Sequence, residues 1–403
     1  MTCTPPAAHR STGGWCSRFV HKNAVGWRGR PIDVDGPPWQ RAPPLTRGCT
    51  RVTDTDRRLL AGSRDSRYDN RQFLVETTKS CFPFEAALIE YRPFHNTDPP
   101  QLVELWNFGK LGPGAALEFP IDALDMLVLA QPYFEKEGLI LACEGSEVVG
   151  FVHAGFGANT AGTGTCTSTG VICAVLVRLD YRRRGIGREL VARAEQYLRG
   201  RGAQEIYAGE SGRRNPFYLG LYGGAESAGM LVSDAAAAPF FTALGYQPVE
   251  RYLLMRRDIS RKNDPFDPRL VAVKRSMKFG VMDHPPDADW WWMTRQGRFG
   301  SLTFVLVPNA GGPPPAEVTF WEMELQAATR GDRTAGIAGL NVAAPDRRKA
   351  YARALLTEVI RRLREELVTM VEVAIRDDNT AALSLFRSLN FEQFDTGVVY
   401  RRG

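Results

Sequence analysis

The chain has 403 residues, 44% of them hydrophobic and 24% charged, which is the length of two domains plus an extension and the make-up of a globular protein rather than a fibrous or low-complexity one. The formal net charge of +6 is unevenly placed: residues 1–80 hold roughly seven excess positive charges and the remainder is close to neutral, so no nucleic-acid partner is expected of the folded part. No apolar run reaches the length of a membrane span and the start lacks the apolar core of a secretory signal, so no membrane partner is expected and a cytoplasmic location is.

Residues 1–80 are rich in Arg, Pro, Gly and Trp without helical or strand periodicity. We expect a poorly ordered basic extension: a basic arm for nucleic acid, a transit-like segment or, by preference, a start assigned too far upstream, since Trp15, Trp27 and Trp39 suit no solvated tail. The seven cysteines lack CxxC pairing and the five histidines lack ligand spacing, so free thiols and no metal are expected. Leu88–Arg92 suits a first strand and Pro99–Trp106 a helix. Gly138–Glu144 and Val148–Gly155 are apolar runs split by Gly145-Ser146, a hairpin signal. His153, inside the second run, reads as a structural residue rather than a base.

Val171–Leu190 reads as a buried strand to Arg178, a tight basic glycine loop, and the opening of an amphipathic helix with Leu190, Val191, Ala194, Tyr197 and Leu198 on one side. That order builds an anion site, because a helix start carries unpaired N–H groups and partial positive charge. Gly185 and Gly187 let a ligand lie against the main chain, and Arg182, Arg183, Arg184 and Arg188 add charged donors suited to a pyrophosphate. A Walker loop is excluded by Arg188 and Glu189 after Gly187, and a dinucleotide fingerprint would need a third glycine. Gly200-Arg201-Gly202 ends the helix and Ile206–Ala208 suits the next strand. The glycine- and aromatic-rich segment Asn215–Met230 is expected either to line a pocket with Phe217, Tyr218 and Tyr222 or to pack on the second domain. Asp234 as N-cap and Gly245 as stop bound a late helix holding Ala237 and Phe241, with Tyr246 following.

Trp290–Trp292 is expected to cap a pocket, to form an aromatic stacking surface or, by preference, to plug the space between domains. Trp321, Met323 and Leu325 alternate with Glu322 and Glu324 as in a half-buried strand. A weaker copy of the loop pattern then ends the chain, roughly 165 residues after the first, a domain length rather than a solenoid period. Gly336–Val342 is strand-like, and Ala350 and Ala352 stand where the first loop has Gly185 and Gly187. Tyr351–Leu367 is an amphipathic helix, Val368–Ile375 a strand, and Asn379, Ala382, Phe386 and Asn390-Phe391 repeat the late-helix pattern. An alanine at a positive-φ position costs on the order of 1 kcal/mol and its methyl crowds a ligand, so the second loop is expected to bind weakly or not at all.

The loop and late helix together resemble the GNAT N-acetyltransferase superfamily. The resemblance implies an α/β (α+β) chain of two tandem domains, over 83–260 and a degenerate 265–403, after the 1–80 extension. Each would be a twisted mixed, mostly antiparallel sheet flanked by helices, and the chain a monomer with an internal pseudo-dimer or a homodimer. It implies acetyl-CoA as acyl donor and direct transfer to a primary amine of a small molecule or protein. Leu176 and Val177 would supply main-chain contacts, Arg182, Arg183, Arg184, Gly185, Ile186, Gly187 and Arg188 the diphosphate grip, and Asp234 and Phe241 the late-helix contacts. Phe241 holds the place where the family often has an acidic Tyr, so Tyr246, Tyr218, Tyr222 or a water would protonate the thiolate, and Glu210 or Glu226 would serve as base. A non-catalytic acyl-CoA-binding regulatory protein of the same fold is the alternative.

Overall fold

The computed structural model describes residues 88–403; the expected extension over 1–80, with its cysteines and histidines, lies outside the described residues. In the first half, β1 (Ile89–Pro93) leads to α1 (Pro99–Asn107) and α2 (Ile121–Leu124), then β2 (Leu139–Glu144), β3 (Glu147–Ala158), β4 (Thr165–Val177), α3 (Ile186–Gly200), β5 (Glu205–Ala208), the two-residue β6 (Met230–Leu231), α4 (Ala237–Ala243) and β7 (Tyr246–Asp258). The second half follows as α5 (Arg269–Ser276), β8 (Met277–Met282), α6 (Trp290–Arg295), β9 (Ser301–Pro308), β10 (Ala316–Glu322), α7 (Glu324–Arg330), β11 (Thr334–Val342), α8 (Tyr351–Glu365), β12 (Met370–Arg376), α9 (Thr380–Arg387) and β13 (Glu392–Arg402).

Local chemistry accounts for most of these boundaries. Pro99 and Pro100 open α1, where their missing N–H groups cost nothing. Gly145, at φ 60°, turns the β2–β3 hairpin. Ile186, Leu190, Val191, Ala194 and Leu198 bury one stripe of α3, and Gly202 at φ 102° follows its end. Asn379 caps α9 by accepting from Ala382 N–H at 3.1 Å.

Thirteen strands form one sheet in the order β1-β2-β3-β4-β5-β13-β7-β12-β11-β10-β9-β8, with β6 pairing β13. The order reads the same from either end. Among the described residues only β4–β5 and β11–β12 are parallel and every other pair is antiparallel, which is the mixed, mostly antiparallel sheet expected. At its centre each half lends its last strand to the other. β13 lies on β5, with Tyr400 opposite Ala208, and β7 lies on β12, with Leu254 opposite Ala374. The cores follow the exchange: Val398 and Tyr400 join Leu190, Ile206 and Phe241 in the first half, while Met255 and Ile259 join Phe304, Leu355 and Val371 in the second.

Three local expectations change. Asp234 does not cap α4: its carboxylate folds back onto Ala236 N–H at 3.1 Å, a local turn that delays the helix to Ala237. Leu325 is in α7 rather than a strand, because β10 ends at Glu322, and Glu322 is buried rather than solvent-facing. β4 begins at Thr165, earlier than the apolar run suggested, because its exposed first residues extend the antiparallel ladder with β3.

Candidate active site

The loop after β4 adopts a turn that two positive-φ residues define. Arg183 sits at φ 67° and Gly185, the residue before α3, at φ 86°, so the first N–H groups of a fifteen-residue helix face outward without side-chain caps. A Cβ on Gly185 would meet nothing within 4 Å, whereas one on Gly187 would come within 3.1 Å of the Phe240 ring. The four arginines divide the work. Arg182 turns inward: its Nε donates to Val177 O at 2.9 Å and its Nη2 to Gly109 O at 2.7 Å, lacing the loop to β4 and to the end of α1. Arg184 donates to Asp180 O at 2.8 Å and lies over the Tyr181 ring. Arg183 and Arg188 are exposed on the loop and on the first turn of α3, while Ile186 is buried beneath it.

Beside the loop, β4 and β5 part. They pair only from Thr169–Glu205 to Ile172–Ala208, and past Ile172 a register shift reorients β4. Arg178 N–H is bonded to Val149 O on β3, so by alternation the main chain of Leu176 faces β3 while that of Val177 faces the gap, where its carbonyl meets Arg182. The Leu176 side chain is buried in the core.

Glu210, just past the end of β5, is 6% exposed. It accepts from Phe217 N–H at 2.8 Å and is hydrogen bonded to Ser227 and Cys173. Burial pushes its carboxyl up to about 8 and that of Glu226 up to about 7. His153 is fully buried on β3, 3.0 Å from the Tyr218 hydroxyl, and burial pulls its imidazole down to about 3, so it is neutral at any physiological pH.

The tyrosines separate sharply. Tyr246 is fully buried and its hydroxyl donates to Glu195 at 2.8 Å, and Phe241 stacks on Tyr400 within the core. Neither side chain reaches the gap. Tyr222 is half-buried, and its oxygen accepts from Leu231 N–H at 2.9 Å, leaving its own proton to donate. The Asp234 carboxylate acts through space on the Tyr222 hydroxyl, holding its proton on, and Arg182 acts through space on Asp234. The structure therefore groups Arg182, Tyr222 and Asp234 toward the loop end of the gap and Glu210 at the point where the strands part. The segment Asn215–Met230 mainly fills space. Phe217 and Tyr218 are core residues, Tyr218 beside a cavity of only about 10 Å³, and Leu219 and Ala225 pack on Trp321 of the second half, whose Nε1 donates to Ala225 O at 2.9 Å. Trp291 is the buried member of its triplet, stacked on Tyr133 at 4.6 Å.

The second loop repeats the first turn. Arg348 and Ala350 sit at φ 65° and 63°, and Arg347 Nε donates to Val342 O at 3.3 Å as Arg182 does to Val177 O. Ala350 thus holds a conformation that favours glycine. Ala350→Gly is expected to raise stability by about 0.5–1 kcal/mol in urea unfolding, and Gly185→Ala to lower it by a similar amount; no change in either would mean that neither turn is strained. Two residues escaped the sequence reading. Arg295 and Cys173 approach Glu210 from the second half and from β4, and no spacing rule brings them to it.

Comparison with known proteins places this geometry. The profile of the acetyltransferase (GNAT) family matches residues 113–222 and 287–391. Among solved structures, a tandem GNAT protein from the clavulanic acid biosynthesis pathway is similar over 78% of this chain and 98% of its own, at 19% identity and a TM-score of 0.54. A GCN5-related N-acetyltransferase from Sphaerobacter thermophilus is similar over 78% and 95%, at 15% identity and a TM-score of 0.53. A glucosamine N-acetyltransferase region of a fungal multi-domain β-N-acetylglucosaminidase covers 79% of this chain and 38% of that one, at 16% identity and a TM-score of 0.58. At these identities the likeness is one of fold. Among curated proteins none matches the chain.

Proposed function

The chain belongs to the acetyltransferase (GNAT) family, and on that premise we propose that it is an acyl-CoA-dependent N-acyltransferase with its donor in the first half. Acetyl-CoA would lie along the gap between β4 and β5, its diphosphate at the start of α3 and its thioester near the parting of the strands. The observation that carries this reading is the buried carboxyl of Glu210 at that parting, just past β5, together with the Gly185 turn that follows β4. Glu210 takes one proton from the acceptor ammonium, the amine attacks the thioester carbonyl, the C–S bond breaks as the departing thiolate receives the Tyr222 proton, and the second proton of the acceptor nitrogen returns to Tyr222 to leave the neutral amide. Val177 supplies the main-chain contact, while Arg183 and Arg188 join the α3 N–H groups at the diphosphate. Arg182 holds the loop in shape rather than the ligand. The palindromic strand order supports a monomer with an internal pseudo-dimer.

The non-catalytic acyl-CoA binder keeps one observation in its favour: Phe241, at the family's acid position, is buried, and Tyr246 is committed to Glu195. Calorimetry with coenzyme A and thiol release from acetyl-CoA over a panel of amines separate the two. Arg183→Ala and Arg188→Ala are each expected to weaken coenzyme A binding by about tenfold, the scale of one charge-assisted hydrogen bond. Arg348→Ala is expected to leave it unchanged. An equal loss from Arg348→Ala would move the donor site, and binding without any thiol release would favour the regulatory reading.

A further inference from the structure

A groove of about 370 Å³, within the range of small-molecule sites, lies between the first half's Gly212-Arg213 turn and the second half's sheet. One wall is α6, which presents Trp291, Trp292 and Arg295; the floor is the end of β11, residues 338–341; Asp287 and Glu317 add carboxylates.

The α6 wall is rigidly held. Asp289 caps the helix by accepting from Trp292 N–H at 2.8 Å and pairs with Arg213 at 2.9 Å. Trp291 N–H donates to Gly162 O at 3.0 Å, and the Trp291 indole N–H donates to Asn215 Oδ1 at 3.1 Å. Arg295 rides on this wall without comparable support. Its Nε is buried with no hydrogen-bond partner; burial weighs most on its charge, and Tyr133, Glu210, Glu226 and Asp289 act on it through space. A guanidinium this poorly compensated is a strong receptor for a carboxylate, which it can grip with two parallel bonds. Asp287 is exposed and Glu317 is bonded only to Asn341, at 3.4 Å. Asp289 is held by Arg213 and acts on Arg295 through space, so the lining sets one guanidinium, Arg295, against the carboxylates of Asp287 and Glu317 beside the Trp292 indole.

We infer that this groove binds a free α-amino acid with a large apolar or aromatic side chain, its carboxylate on Arg295, its ammonium toward Asp287 and Glu317, and its side chain against Trp292. A zwitterion satisfies both signs of charge at once, which a simple amine or a simple acid does not. The site stands on the groove and does not depend on acyl transfer.

The test is calorimetry on the full chain with three probes: L-phenylalanine, phenethylamine, which lacks the carboxylate, and 3-phenylpropionate, which lacks the amine. L-Phenylalanine is expected to bind, and each truncated probe to bind at least tenfold more weakly. Arg295→Met is expected to weaken L-phenylalanine at least tenfold and leave phenethylamine unchanged, with thermal melting to check the fold. Should that variant not fold, the exposed-side pair Asp287→Asn with Glu317→Gln is expected to weaken L-phenylalanine and leave 3-phenylpropionate unchanged. Failure of L-phenylalanine to bind at millimolar concentration, equal binding of phenethylamine, or unaltered affinity in the folded variants would each overturn the assignment.

Discussion

A chain ending at Leu389, and so lacking β13, is expected to lose the cooperative unfolding of both halves rather than of the second alone. β13 is a central strand: it pairs with β5 through Tyr400 and Arg401 and with β7 along most of its length. Its removal leaves β5 and β7 with open edges facing a space one strand wide, which invites aggregation. It also empties the first-half core of Val398 and Tyr400, the latter stacked on Phe241 at 5.6 Å. The Asp395 carboxylate, which accepts from the Ser233 hydroxyl at 2.6 Å, is lost too. Even the single change Tyr400→Ala is expected to cost about 3–5 kcal/mol, the scale of deleting a buried aromatic ring. Circular dichroism through a urea titration measures both. A shortened chain whose first half melts at the full-length midpoint would show that the exchanged strand is dispensable to it.

Glu210→Gln is expected to lower acyl transfer by on the order of 10²- to 10⁴-fold, the usual contribution of a positioned base, and to remove the limb of the pH–rate profile that rises through about pH 8. Only the ionised carboxylate can accept the ammonium proton. The same group carries a stability signature of definite sign. Burial raises it from an ordinary 4.5 to about 8, so between those values the folded chain keeps a proton that the unfolded chain has released. Stability from this group is therefore present below about pH 4.5 and declines as pH climbs toward 8. Glutamine, which cannot ionise, is expected to flatten that decline and to melt higher than the parent protein above pH 8. A variant with the parent's pH–rate profile would remove Glu210 from the proton transfer, and an unaltered stability slope would mean that its carboxyl is not buried as described.

The features written most clearly in the chain are those closed within one or two turns of backbone. Gly145 sets the β2–β3 hairpin, the apolar stripe from Ile186 to Leu198 sets α3, and Gly185 and Ala350 hold matching left-handed turns before α3 and α8. Periodicity and turn chemistry act over a few residues, so a linear reading reaches them. Asp234 shows the limit even at short range, since a side chain able to cap a helix is equally able to bond its own following N–H.

What periodicity reports is that a side chain is buried, never against what. Phe241 and Tyr246 hold their expected places after the loop, yet the fold turns both into the core, onto Tyr400 and Glu195, while the Tyr222 hydroxyl accepts from Leu231 N–H. Arg182 likewise sits in a basic loop but points inward to Val177 and Gly109. By itself the chain determined two copies of one pattern, a left-handed turn before a helix in each, and the helices and strands around them. Only the tertiary structure decided that β7 and β13 change places, that Arg295 stands beside Glu210, and that an amphiphilic groove opens beside α6. Two strands of like alternation compete for the same edge of β5, and the choice between them is made by packing among residues far apart along the backbone.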